Sequence, residues 1–143
     1  GLESPFRELP GYYLHGPAVA ARLEADGVTD AELLDAIRYH TLGSGRLGRL
    51  GRALIAADWL DPGRPQLPVQ RAAMRARMPE ALDDVFATIV AMRVRKSLER
   101  GIPIRPELAE MWSSVTEGTS ARESPTLPPF AAERRPPDHG RAR

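Results

Sequence analysis

The sequence predicts an all-α domain. Three observations carry that expectation. Apolar residues recur at helical spacing, Pro and Gly fall mostly between the periodic stretches, and no strand-like alternation runs for any length. The strongest stretch is a single stripe of Leu82, Val85, Phe86, Ile89 and Met92, widened by Val90 and Val94.

Taken in order, residues 1–14 contain Pro5, Pro10 and Gly11, which exclude a long opening helix. After Pro17, Ala18 to Asp26 reads as a short helix with Val19 and Leu23 four apart, ended by Gly27. Thr29 opens a second helix, and Glu32 three residues on completes a T-x-x-E capping box. Leu33, Ile37 and His40 then share one face. Thr41 to Gly48 is a Gly-rich loop. The third helix, about Leu47 to Leu60, offers Leu47, Leu50, Leu54 and Ala57 to the core, with Asp58 beside that face.

Asp61-Pro62-Gly63 is a stop and turn. A modest helix from Val69 to Arg77 follows. The longest helix runs from Pro79, placed near its first turn, to Arg100, and Gly101 ends it. Ile102 to Arg105 is extended around Pro103. Pro106 opens a last helix whose inward residues are Leu108, Met111, Trp112 and Val115. From about Thr116 the periodicity fails. Pro125, Pro128, Pro129, Pro136 and Pro137 mark the rest as a disordered Pro/Arg-rich tail, so the division is a helical domain over 1–115 and a tail over 116–143.

Composition narrows the function classes. The chain has 143 residues, enough for one domain. Lys+Arg is 20 against Asp+Glu 19, a formal charge of +1, which does not point to bulk nucleic-acid binding. There is no cysteine, so disulfides, thiolate metal sites and Cys nucleophiles are excluded. No apolar run reaches the ~18 residues of a membrane span, and residues 1–10 carry no signal-peptide pattern. A cytoplasmic location and no membrane partner are the expectation.

Three side chains stand out as metal-ligand candidates. His15 lies in Leu-His-Gly-Pro just before a helix. His40 lies in Ile-Arg-Tyr-His-Thr at a helix end. Asp58 lies in Ala-Ala-Asp-Trp-Leu, near an apolar face. Imidazole and carboxylate both suit Fe, Mn or Zn. Spacing alone favours a plainer arrangement, in which Asp58 caps a turn or pairs with an arginine and His40 simply ends its helix. His139, in the tail, reads as solvated.

The stretch Gly43 to Arg52 carries Arg46, Arg49 and Arg52 among glycines, and backbone N–H groups with arginines can hold phosphate. It is not a P-loop, because no G-K-[ST] closes it. Arg46 is one phosphate candidate, and Arg64, six residues past Asp58 and just after the Pro-Gly turn, is a better one. Arg93, Arg95, Lys96 and Arg100 on the longest helix read as a solvated face.

Together these motifs resemble a known family. Leu-His-Gly-Pro-x-x-Ala, Ile-Arg-Tyr-His-Thr-x-Gly, Ala-Asp-x-x-x-Pro-Gly-Arg and Gly-x-Pro-Ile-x-Pro stand in the order found in the HD-domain symmetrical bis(5'-nucleosyl)-tetraphosphatases (YqeK-type), over residues 12–115. The resemblance implies an HD-domain-like helical bundle and metal-dependent hydrolysis of diadenosine tetraphosphate-type dinucleotides to nucleoside diphosphates. It implies His15, His40 and Asp58 as metal ligands, iron as the metal (Mn or Zn being alternatives), and phosphate contact at Arg64. The family's first His and its His-Asp pair lie upstream of the position of His15, on N-terminal helices absent here. The fourteen residues before His15 contain neither His nor Asp.

The expectation is therefore half of a site, completed by a missing N-terminal half or by a second copy in a homo-oligomer. The alternative is a non-catalytic helical protein-interaction module whose uncovered apolar faces meet a partner. A nucleic-acid module built on Arg46 to Arg52 is a third, weaker option.

Overall fold

The structure is a computed structural model, and it describes residue 6 and residues 9–117. Among these, all regular structure is helical. A short 3-10 turn, Gly11–Tyr13, leads into α1 (His15–Ala25), α2 (Ala31–Tyr39), α3 (Arg49–Trp59), α4 (Pro68–Ala76), α5 (Leu82–Arg100) and α6 (Pro106–Glu117). Helix α1 packs on α2, α2 on α3, α3 on α5, and α5 on α6. This is the all-α bundle expected, and no described helix is long and apolar enough to cross a membrane.

The core is built around α5. Leu82, Val85, Phe86, Ile89 and Val90 are buried there against Ile55, Ala56 and Leu60 from the α3 end, Met74 of α4, and Leu108 and Met111 of α6. Phe86, Ile89, Met111, Val85 and Val90 are fully buried, each side chain contributing roughly 1.5–3 kcal/mol. Gly101, in the left-handed region at φ +62°, ends α5 as expected, its N–H bonding back to the last turn.

Several boundaries and faces differ from the sequence expectation. Helix α1 starts at His15, not Ala18, because Pro17 sits within the first turn, where its missing N–H is not needed. The cap of α2 is Asp30, whose carboxylate accepts from the Leu33 N–H at 3.0 Å, so the Thr29/Glu32 capping box does not form. Helix α5 starts at Leu82, with Pro79 in the turn before it. Thr116 and Glu117 complete α6, while the tail expected beyond them lies outside the described residues.

The buried seam of α3 is Gly51, Ile55 and Ala56. Leu50 and Ala57, expected inside, are exposed, and Leu54 is half-buried. Trp112 of α6 is likewise turned largely outward, although Leu108 and Met111 on the same helix are buried.

Glu32 has a different task from the one expected. Its Oε1 accepts the Leu50 N–H at 3.0 Å, which supplies the cap that Gly48 cannot give to α3. A β-carbon at position 48 would stand 2.7 Å from that oxygen, so the glycine makes room for the carboxylate. Glu32→Ala is expected to cost about 1 kcal/mol of stability through the lost cap, read as a lowered urea midpoint with unchanged slope.

Candidate functional site

Helix α1 begins at His15 and His40 is the C-cap of helix α2, and the packing of the two helices brings these rings together. Their centroids are 4.7 Å apart in an edge-to-face arrangement, and His15 Nε2 lies 2.8 Å from His40 Nε2. Each ring is fixed from behind. His15 Nδ1–H donates to the Tyr12 carbonyl at 2.8 Å, and His40 Nδ1–H donates to the Ile37 carbonyl at 2.7 Å.

Those partners set the chemistry. A carbonyl oxygen only accepts, so both Nδ1 atoms carry hydrogen and both neutral rings present an Nε2 lone pair. The Thr41 hydroxyl donates to His15 Nε2 at 3.1 Å. Thr41 is itself tied down, because Arg93 Nη2–H donates to its carbonyl at 3.0 Å. Two lone pairs 2.8 Å apart repel unless a proton or a cation lies between them. Backbone-anchored imidazoles with converging Nε2 atoms are a common metal-ligand arrangement.

Asp58 is elsewhere. It stands in the last turn of α3, its side chain 51% exposed, and its carboxylate accepts from Arg64 Nη2 at 2.7 Å. Arg64 Nε–H also donates to the Asp58 carbonyl at 2.8 Å. The intervening turn makes this possible: Gly63 N–H donates to Asp61 Oδ1 at 2.8 Å, and the chain curls back on α3. The plainer alternative, Asp58 paired with an arginine, is thus the arrangement seen. Among the described residues, no group of three or more His, Asp or Glu side chains is close enough together to hold a metal ion. The residues present therefore fit a metal as a two-histidine half-site, with Asp58 not joined to it.

A cavity of about 760 Å³ connects the pieces, within the size range of small-molecule sites. His40, Thr41, Asp58 and Arg64 line it, and Tyr12, Tyr13 and Trp59 supply aromatic wall. Arg71, Arg93, Lys96, Arg100 and Arg105 line it as well, against only Asp58 and Glu99 of opposite charge. Such a wall favours a polyanion. Burial pushes the Arg93 guanidinium below its ordinary range, with Tyr13, Tyr12 and Asp58 opposing.

Of the two expected phosphate arginines, Arg64 is on this wall. Arg46 is exposed on the Gly-rich loop and does not line the cavity. Arg52 is also accounted for otherwise, since it pairs with Asp83 at 3.0 Å. Of Arg93, Arg95, Lys96 and Arg100, expected as a solvated face, Lys96 and Arg100 are exposed as expected and Arg93 and Arg95 are half-buried, and Arg93, Lys96 and Arg100 also line the cavity. Arg71 and Arg105 were not singled out from sequence: Arg71 has no motif around it, and Arg105 is a variable position of the Gly-x-Pro-Ile-x-Pro motif.

The class that the described residues define is structural: a helical bundle with paired imidazoles beside a cation-lined cavity. Comparison with known proteins narrows it. No protein-family model matches the chain. Three curated relatives do, each named "Bis(5'-nucleosyl)-tetraphosphatase, symmetrical". The one from Bacillus subtilis is 39% identical over 108 residues, covering 73% of this chain and 56% of the relative. The one from Halalkalibacterium halodurans is 26% identical over 103 residues, covering 71% of this chain and 54% of the relative. The one from Staphylococcus aureus is 42% identical over 52 residues, covering 36% of this chain and 27% of the relative. The chain thus spans about half the length of the first two relatives, or less for the third.

Proposed function

We propose that this chain is the C-terminal portion of an HD-domain symmetrical bis(5'-nucleosyl)-tetraphosphatase, acting on diadenosine tetraphosphate-type dinucleotides to give nucleoside diphosphates. The observation that carries the reading is the convergence of His15 Nε2 and His40 Nε2, each ring anchored through Nδ1, at the edge of a cation-lined cavity. The names of the curated relatives support the same substrate class.

His15 and His40 would hold a divalent metal, iron by preference, with Mn or Zn as alternatives. Asp58, once released from Arg64, would be the further ligand from this chain. Bound there, the metal supplies Lewis acidity at phosphorus and lowers the pKa of water. The Tyr12 and Ile37 carbonyls keep both rings in the ligating tautomer. Arg64 moves from Asp58 to a phosphate oxygen, where its fork neutralises charge. The remaining ligands come from an N-terminal half or from a second copy.

The test is hydrolysis by the intact protein. Diadenosine tetraphosphate should yield ADP as sole nucleotide product, and a chelator should stop the reaction until metal is restored. Release of ATP with AMP, or turnover indifferent to chelation, contradicts the reading.

The absence of a third ligand beside the histidines among the described residues, with Val19 and Leu50 exposed on α1 and α3, favours a second reading. In it, the chain is a non-catalytic helical interaction module. Self-association of the metal-free protein in sedimentation, with no hydrolysis, is its signature.

A further inference from the structure

Arg71, on α4, is the one buried charged side chain among the described residues, at 5% exposure. A buried guanidinium is stable only when its charge and its donors are compensated. Here the compensation is incomplete. Nε–H donates to the Gln66 carbonyl at 2.6 Å, and the guanidinium carbon sits 3.9 Å above the centre of the Trp59 ring. Nη1 is buried without a hydrogen-bond partner. Orphaned buried donors of this kind are rare and ask for an explanation.

The surrounding charges make the deficit plain. Burial pushes the Arg71 pKa down, Arg64 and Arg75 push it further, and Asp58 and Asp61 oppose them. No described carboxylate lies within ion-pair distance of Arg71, whereas Arg64 already has Asp58. The backbone that leads to Arg71 is also unusual. Leu67 adopts φ +52°, a left-handed conformation that a γ-branched residue rarely takes, at the N-cap of α4. Such backbone persists where its surroundings over-determine it, often at ligand sites. Trp59, Arg64, Gln66, Leu67 and Arg71 all line the cavity.

We propose that Arg71 is an anion-binding residue of the cavity, its guanidinium held over Trp59 and bonded to the Gln66 carbonyl so that it can take phosphate oxygens of a bound polyphosphate. The proposal rests on reading the cavity as a polyphosphate site and adds the residue that grips it. It assigns Arg71 to substrate binding rather than to the chemical step.

Trp59 provides the readout. In the intact protein, with Trp112 and any other tryptophan replaced by phenylalanine, tripolyphosphate is titrated in metal-free buffer while Trp59 emission is followed. The expected result is a saturable change in emission. Arg71→Gln weakens binding by about tenfold or more, as for loss of a charge-assisted hydrogen bond. Arg71→Lys, which keeps charge but not the planar overlap, falls between.

With diadenosine tetraphosphate, Arg71→Gln raises KM and leaves kcat close to wild type. No saturable response in the wild type, or equal affinity in Arg71→Gln, overturns the proposal. If Arg71→Gln does not fold, Arg71→Lys decides, since unchanged affinity and an unchanged Trp59 response overturn it too. The two readings separate cleanly. Tripolyphosphate binding without hydrolysis removes the enzyme reading alone, and hydrolysis with unchanged KM in Arg71→Gln removes this one alone.

Discussion

Replacing His40 by alanine in the intact protein is expected to lower kcat/KM for diadenosine tetraphosphate by at least about 100-fold, or about 2.7 kcal/mol of transition-state stabilisation. The loss has a structural source. His40 Nε2 faces His15 Nε2 at 2.8 Å, and the Thr41 hydroxyl also bonds His15 Nε2. Removing one imidazole leaves a single nitrogen ligand from this chain. His15→Ala should therefore cost about as much as His40→Ala, and the double variant little more, as for residues that act as one unit.

Metal content measured on the same purified proteins should fall with activity. The melting temperature should shift little by comparison, because neither ring belongs to the central core around Phe86. Retained metal with unchanged hydrolysis in either single variant would sink the assignment.

How far these features could be read in advance depends on whether the deciding contact is local. The stripe of α5 was legible because a 19-residue helix repeats its signal several times, and Gly101 closes it by local backbone geometry. The face of α3 was not. Leu47 is buried as expected, but Leu50, Leu54 and Ala57 form as regular a stripe as Gly51, Ile55 and Ala56, and burial decides between them only after α5 has docked. Leu47 folds against Gly51, where a β-carbon would lie 2.6 Å from its Cδ2. That contact depends on a glycine that periodicity scores as a weakness.

The site divides in the same way. His15 and His40 could be singled out by residue type and by motif order, and the structure brings them together. Asp58 was singled out equally well, yet it is held by Arg64, six residues on, through a turn that sequence did locate. The cationic wall was hidden. Arg93, Lys96 and Arg100 continue the Phe86–Ile89 face of α5 at spacings of three and four, so their charge, not their period, suggested solvent, and the cavity they line is formed only by the packed fold. Arg71 depends on Trp59, on a different helix, and on the left-handed Leu67. Neither leaves a periodic trace.

Gly16 shows how much of the site rests on a residue with no side chain. Gly16→Ala is expected to destabilise the fold by about 1–3 kcal/mol, the usual cost of overpacking a close contact, and to separate the two histidines. A β-carbon there would lie 2.6 Å from the Ile37 carbonyl oxygen, 2.9 Å from that of Arg38 and 3.2 Å from His40 Nδ1. The first two are backbone atoms at the end of α2, so no rotamer change relieves the clash and the helices must part.

The Ile37 carbonyl is also the acceptor that fixes the His40 ring, so the shift reaches the site through the atom that sets its tautomer. Gly11→Ala provides the contrast, since a β-carbon there meets nothing within 4 Å. The urea midpoint should drop for Gly16→Ala and hold for Gly11→Ala. Metal content of the intact protein should follow the same order, beyond what the unfolded fraction explains. Gly16→Ala protein that folds with full stability and retains its metal would show that the approach of α1 to α2 does not position His15 against His40.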